Sequence, residues 1–238
     1  MNRTIIGITA RAMLGGRRVY LLLAMAILLL ALALLLRLFA DLSDADAAQF
    51  LRAVALSTLL PLFGLIVGTG AIGPEIDDGS IIYLLSKPVS RFTIVQSKLL
   101  VAVTATFAFA VLPTVLASLI MVGGSSNVAA AFGLGALVAG AVYCVLFMLL
   151  AIVTRHAVIL GLVYALVWES LVGSFIPGAR NLSVQQWALS VTDSIAAPGL
   201  VSADVRAGVA VVLIVVVFAA ATWYAGQRLR VLTLVGEE

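Results

Sequence analysis

The 238-residue chain is 63% hydrophobic and 11% charged, with a mean hydropathy of +1.22. Soluble domains are about half apolar and about a quarter charged, so this composition excludes a soluble protein and indicates an integral membrane protein. The net charge of +3 comes from basic residues scattered over the ends of apolar runs, which argues against nucleic-acid binding. With one cysteine, Cys144, and one histidine, His156, an intrachain disulfide and a metal site of clustered cysteines and histidines are also excluded.

The first forty residues predict a surface helix followed by a membrane span. Residues 1–18 contain four arginines among isoleucines, too short and too charged to cross a bilayer, so an interfacial helix is expected. The leucine-rich run at 19–40 reaches the length of about 20 residues that a span needs. A signal peptide is the alternative, because S-D-A-D-A-A at 43–48 resembles a cleavage site, but so long an apolar run favours a retained anchor.

Further apolar runs complete a predicted all-α integral membrane fold with six transmembrane helices. The five remaining spans are expected at 51–72, 99–122, 128–153, 157–176 and 205–224. Small residues follow two neighbouring faces of the fourth span, which allows close helix packing in lipid. The moderately apolar segment 179–204 predicts an amphipathic helix at the external interface or dipping into it.

The distribution of basic residues predicts the orientation. An even number of spans puts both termini on one side, together with the loop at 73–98, and ten of the fourteen Lys and Arg residues lie on that side. The four on the opposite side are Arg37, Arg52, Arg180 and Arg206. By the positive-inside rule, both termini and the loop are expected in the cytoplasm.

The motifs of common enzymes are missing from the sequence. There is no G-x-x-x-x-G-K-[ST] phosphate loop and no H-E-x-x-H, and a single histidine gives no defensible Ser-His-Asp set. The chain is therefore not expected to be an enzyme or to hold a nucleotide or a cofactor of its own.

Two features inside the predicted spans are candidates for a transport path or gate. Glu169, beside Trp168, interrupts an otherwise uncharged fifth span, and intramembrane carboxylates usually face a bundle interior or a watery cavity. Its alternative role is a structural pair, with Arg180 or with a backbone group near the outer interface. Gly64 and Gly68 share one face of the second span, which indicates either a close helix contact or a flexible helix near a proline.

The most charged and most interrupted stretch of the chain is the loop at 74–91. Pro74 suits a first helical position, and the acids Glu75, Asp77 and Asp78 favour the positive end of a short helix. An apolar run follows, Pro88 ends it, and Ser90 can cap the next helix. Physical reasoning leaves two readings open: a stiff surface helix that passes motion from a soluble partner, or an ordinary structured loop.

At these residues the sequence resembles the permease subunits of type-2 ATP-binding-cassette (ABC-2) transporters. The resemblance rests on E-x-x-x-G-[ST]-[IL], then L-[SA]-x-P-[VI]-[SR]-R and a later lysine. The matching residues are Glu75, Gly79, Ser80, Ile81, Leu85, Ser86, Pro88, Val89, Ser90, Arg91 and Lys98. The resemblance also extends to the six-span layout and to the W-E of the fifth span.

The resemblance implies that 75–86 is a coupling helix that docks into a separate ATPase subunit, which binds the ATP and magnesium. The residues expected to serve this coupling are Glu75, Asp77, Asp78, Gly79, Ser80, Leu85, Pro88 and Arg91. It also implies a dimer of permease chains, more readily a homodimer, with the second and fifth spans along the path. Gly64, Gly68, Trp168 and Glu169 are then expected near that path, below re-entrant helices at its outer end.

The expected function is ATP-driven export of a hydrophobic or amphipathic substrate, such as a drug, lipid or peptide. Two alternatives remain at this point: a stand-alone ion-coupled carrier that uses Glu169, and a non-transporting membrane sensor or assembly subunit. Arginine outnumbers lysine twelve to two, a bias of GC-rich genomes, which suggests a bacterial plasma membrane.

Overall fold

A computed structural model describes residues 3–40, 42–85, 89–123, 127–172 and 179–232, and within these ranges the regular structure is entirely helical. Its helices are α1 (Arg3–Leu14), α2 (Arg18–Phe39), α3 (Asp44–Gly70), α4 (Gly73–Asp77), α5 (Ile81–Leu85), α6 (Arg91–Val122), α7 (Val128–Val153), α8 (157–172), α9 (Val184–Asp193) and α10 (Ala207–Leu232). A 3₁₀ turn, Ala179–Leu182, precedes α9. The predicted all-α class is confirmed for these residues.

Five of the described helices, α2, α3, α6, α7 and α10, are long and apolar enough to cross a membrane. The predicted fifth span corresponds to α8, whose apolar part is shorter, and residues 173–176 at its end lie outside the described residues. The total of six spans and the orientation of the termini therefore stay predictions.

Several helices begin earlier than the predicted spans because polar residues cap them. Ser43 Oγ accepts the backbone N–H of Asp46 at 3.3 Å, and Asp46 Oδ2 accepts the backbone N–H of Ser43 at 3.2 Å, a reciprocal capping box that starts α3. Ser90 Oγ accepts a backbone N–H of the first turn of α6 at 3.2 Å, which confirms the predicted cap. The helix α7 has the bounds predicted for the fourth span.

Two prolines inside membrane helices lie directly after π-helical stretches. Leu51–Leu59 precedes Pro61 in α3, and Phe107–Val111 precedes Pro113 in α6. Proline lacks a backbone N–H, and its ring clashes with the carbonyl four residues earlier in an α-helix. The wider π-helical turn relieves this conflict, so both helices continue through their prolines.

The central helix is α7, which packs against α3, α6, α9 and α10. The two small-residue faces that the sequence predicted for close packing meet different neighbours. Gly135 lies against Thr192 of α9, and Gly140 lies against Thr106 of α6. The small faces thus let two helices approach α7 closely.

The Gly64/Gly68 face packs on α7 of the same chain. A Cβ atom added at Gly64 would overlap Cβ of Tyr143, and one at Gly68 would lie 2.8 Å from the carbonyl oxygen of Cys144. The space in front of this face is therefore filled by α7, and the expected position of Gly64 and Gly68 near the transport path stays a prediction.

We expect Gly64→Ala to destabilise the protein, because the new methyl group meets side-chain and backbone atoms of Tyr143 that cannot move independently of α7. Overpacking of this kind costs about 1–3 kcal/mol. Gly208→Ala in α10 is the matched control, since no atom lies within 4 Å of its added Cβ. Thermal unfolding in detergent should show a lower midpoint for Gly64→Ala alone, and equal midpoints would contradict the packing.

Candidate functional site

The loop between α3 and α6 is not one helix over 75–86 but two short helices, α4 and α5. Gly79 separates them with a φ of +74°, a conformation that ends a right-handed helix and that residues with a side chain rarely adopt. Asp78 stabilises the turn, because its Oδ1 accepts the backbone N–H of Ser80 at 2.9 Å. The described part of the predicted coupling segment thus forms two short helices joined by a turn, and its coupling role stays a prediction.

A buried lysine fixes the start of this loop to the helix bundle. The side chain of Lys98, on α6, is fully buried, and its Nζ lies 2.6 Å from Oε1 of Glu75 in α4. The same Nζ donates to the carbonyl oxygen of Ala71 at 2.9 Å and to Oγ1 of Thr9 in α1 at 3.5 Å. One ammonium group therefore joins α1, the end of α3, α4 and α6.

This contact gives Glu75 a different position from the acids that follow it. Glu75 is 25% exposed and paired inside the protein, whereas Asp77 and Asp78 are exposed at the surface. Hydrogen bonds from the hydroxyl and backbone N–H of Ser80 hold the pKa of Asp78 below its usual value. Of the three acids expected to meet a partner, only Asp77 and Asp78 lie on the outer surface.

The second helix of the loop adds an apolar outer surface. Ile81 is buried, while Ile82 is 61% exposed and Tyr83 is 78% exposed. Large exposed apolar residues beside acids are typical of a protein contact surface. We call Asp77, Asp78, Ile82 and Tyr83 the loop face.

Three other residues predicted for coupling lie at the ends of helices. Ser80 directly precedes α5, Leu85 is its last residue, and the half-buried Arg91 is the first residue of α6. Pro88 lies outside the described residues.

Glu169, a residue of α8, lies against the N-terminal end of α9. Its carboxylate is 1% exposed and accepts hydrogen bonds from the hydroxyl groups of Tyr164 at 2.9 Å and Ser183 at 2.6 Å. It also accepts the backbone N–H groups of Val184 at 3.1 Å and Gln185 at 3.3 Å. These two N–H groups belong to the first turn of α9, where an α-helix has no internal acceptors and carries positive partial charge.

This arrangement matches one of the two roles predicted for Glu169, a pair with backbone groups. All four described partners donate to the carboxylate. Phe147 of α7 stacks on Tyr143 and packs edge-on against Tyr164, which orients the Tyr164 hydroxyl. Glu169 therefore joins α8 to α9.

The helix α9 is buried in the bundle, and the predicted position of 179–204 at the external interface or dipping into it stays a prediction. Gln186, Trp187 and Ser190 are all buried. Two of the polar side chains have partners inside: Ser190 Oγ donates to the carbonyl oxygen of Val205 at 2.7 Å, and Gln185 Nε2 donates to Ser57 of α3. Hydrogen bonds of this kind reduce the cost of burying these two groups, whereas the side-chain oxygen of Gln186 is buried without a partner among the described residues.

The structure thus separates the predicted path residues into two groups. Glu169 contacts α9, and Trp168 beside it is half-buried. Gly64 and Gly68 instead serve the contact between α3 and α7.

Sequence reasoning missed Ser183 and Thr9. The sequence S-V-Q-Q at 183–186 contains the S-x-x-Q pattern of a capping box, and Ser183 Oγ does accept the backbone N–H of Gln186 at 3.3 Å. That pattern could have placed the start of α9. Thr9 carries no comparable signal, because its contact with Lys98 spans 89 positions of sequence.

Residues 16–177 match the family model described as "ABC-2 family transporter protein". No curated protein matches the sequence. The matched range includes α2 to α7, the loop face, Lys98 and Glu169.

Proposed function

Because the chain belongs to the ABC-2 family of membrane transporter proteins, we propose that this permease works with a separate ATP-binding-cassette ATPase subunit. Its substrate is proposed to be hydrophobic or amphipathic, and the direction to be export. We further propose a homodimer of permease chains in a bacterial plasma membrane, with both termini in the cytoplasm. ATP and magnesium are bound by the ATPase.

The observation that carries this proposal is the loop face and its attachment. The loop face exposes two carboxylates and two large apolar side chains, the composition of a docking surface for a soluble subunit. The Glu75–Lys98 pair ties the base of the same loop to α1 and α6. Force applied to the loop face can therefore reach α1 and α6 through this buried contact, and α7 through the packing of α4 against it.

The contacts of Glu169 support a gate role better than an ion carrier. The carboxylate is already occupied by four donors and holds α9 against α8. In the proposed transporter, α9 is the re-entrant helix that closes the outer end of the path.

The proposal is tested by purifying the tagged permease with its ATPase. We expect Ile82→Asp to reduce the bound ATPase at least tenfold, because the new charge would be buried in the apolar part of the interface. Leu182→Asp is the matched control, since Leu182 is 57% exposed and lies beside α9, away from the loop. Its ATPase content should equal that of the unmodified chain.

Two results would overturn the assignment. One is an Ile82→Asp variant that is folded and retains its full complement of ATPase. The other is an unmodified chain that purifies without any ATPase from cells that express the candidate subunit.

A further inference from the structure

An apolar groove opens on the outer surface of the bundle between α7, α8 and α10. It has a volume of about 370 Å³. Its wall includes Leu146, Leu149, Leu150 and Val153 of α7, Leu160 of α8 and Tyr224 of α10. A groove of this size cannot hold a helix, which is about 10 Å across with its side chains, but it can hold a single hydrocarbon chain.

The position of the groove places it in one leaflet. Val153 is the last residue of α7, and Leu146 lies seven residues earlier, which corresponds to about 10 Å along the helix axis. The groove therefore runs from the end of the bundle toward the bilayer centre, within the half-thickness of about 15 Å. In the proposed orientation this is the cytoplasmic leaflet.

A fixed arginine lies at the mouth of the groove. Nε of Arg228 donates to the hydroxyl oxygen of Tyr224 at 3.0 Å, and the guanidinium carbon lies 5.6 Å from the centre of the Tyr224 ring. Arg228 is exposed and lies one helical turn beyond Tyr224, toward the end of α10. Nε is engaged by the tyrosine, and among the described residues no hydrogen bond is made by the two terminal nitrogens, which can bind phosphate oxygens in pairs.

A second cation, Arg155, follows Val153 in the turn after α7. Arg155 shares the neighbouring cleft with Asp77, whose carboxylate offsets part of its charge. We therefore assign the anion at the groove to Arg228.

We propose that this groove binds an anionic phospholipid, with one acyl chain along the α7 wall and the phosphate at Arg228. The apolar wall and the length of the groove, which fits within one leaflet, match an acyl chain. The positive charge at the mouth of the groove matches the phosphate. The assignment to the cytoplasmic leaflet rests on the proposed orientation, but the binding itself requires neither the ATPase nor transport.

The test is native mass spectrometry of the purified full-length chain, titrated with phosphatidylglycerol or phosphatidylcholine in detergent. We expect phosphatidylglycerol to be retained and phosphatidylcholine to bind more weakly. Arg228→Gln should weaken phosphatidylglycerol about fivefold, the equivalent of about 1 kcal/mol for one arginine near a membrane surface. Leu160→Trp, which fills the groove from its half-exposed rim, should weaken both lipids.

Arg230→Gln is the matched control, because Arg230 lies on the same helix but stacks 5.1 Å from the ring centre of Phe92 on α6. It should retain wild-type affinity. Equal loss in Arg228→Gln and Arg230→Gln, or equal binding of the two lipids, would overturn the proposal by showing no specific anion site. A disulfide between Leu160→Cys chains in the membrane would also overturn it, since a second copy would then occupy the groove.

Discussion

Replacing Glu169 with alanine is expected to release α9 from α8 and to give one of the two largest losses of stability among the substitutions considered. The change leaves the N–H groups of Val184 and Gln185 in the interior without their acceptor. Each buried donor that loses its partner costs about 1–3 kcal/mol, and the favourable charge at the helix N-terminus is lost as well. We expect a total cost of about 3 kcal/mol or more.

Two measurements test the effect of Glu169→Ala. The midpoint of thermal unfolding in detergent should fall, and the first turn of α9 should become accessible. Accessibility is read with Val184→Cys in a Cys144→Ala background, since Val184 is buried and a thiol there should react with a maleimide only after α9 has moved. We expect at least a tenfold faster reaction in the Glu169→Ala variant.

Two further variants separate the charge from the shape of the side chain. Glu169→Gln retains one oxygen acceptor but turns an NH₂ group toward donors, so its effect should lie between those of the unmodified chain and Glu169→Ala. Asp193→Ala is the matched control, because Asp193 is an exposed carboxylate at the opposite end of α9. Equal labelling rates in all four proteins would show that Glu169 does not hold α9.

The contacts of Glu169 also show how far sequence could lead. The sequence identified an intramembrane carboxylate and left open whether its partner was a charge, a backbone group or a watery path. The choice depended on the contact of α9 with Glu169, whose partners Ser183 and Val184 lie 14 and 15 positions further along the chain. Hydropathy cannot predict this contact, because α9 is polar enough to resemble a surface helix.

The helix bounds were predictable where local rules decide them. The span at 128–153 needed only its apolar length, and the start of α6 followed from Ser90 as a cap. The loop was misjudged as one helix because the apolar run after Gly79 suggested continuity, whereas the positive φ of Gly79 interrupts it. A close helix contact was one of the two alternatives left open for Gly64 and Gly68, and periodicity does not reveal which helix fills that face.

Glu75→Ala is expected to destabilise the protein more than Lys98→Met, although the two changes remove the same ion pair. Without Glu75, the ammonium group of Lys98 remains fully buried, and its partners among the described residues are then Ala71 and Thr9. An uncompensated buried charge costs about 3–5 kcal/mol. Without Lys98, the carboxylate of Glu75 is 25% exposed and can be hydrated, while methionine fills much of the lysine's volume.

The double variant isolates the cause. Glu75→Ala with Lys98→Met removes both charges, so it should recover most of the stability that Glu75→Ala loses, and its unfolding midpoint should approach that of Lys98→Met. Asp77→Ala is the control, because Asp77 is an exposed carboxylate on the same short helix and should change stability by about 0.5 kcal/mol or less. Midpoints can be followed by tryptophan fluorescence in detergent. If Glu75→Ala and Lys98→Met lowered the midpoint equally, the burial of Lys98 could not be the source of the effect.

The structural role of Glu75 also determines how docking should be tested. Charge reversal at Glu75 would disrupt the base of the loop, so the loss of a bound ATPase after that change would not report on contact. Substitutions on the loop face, such as Ile82→Asp, leave the Lys98 contact intact and therefore report on docking alone.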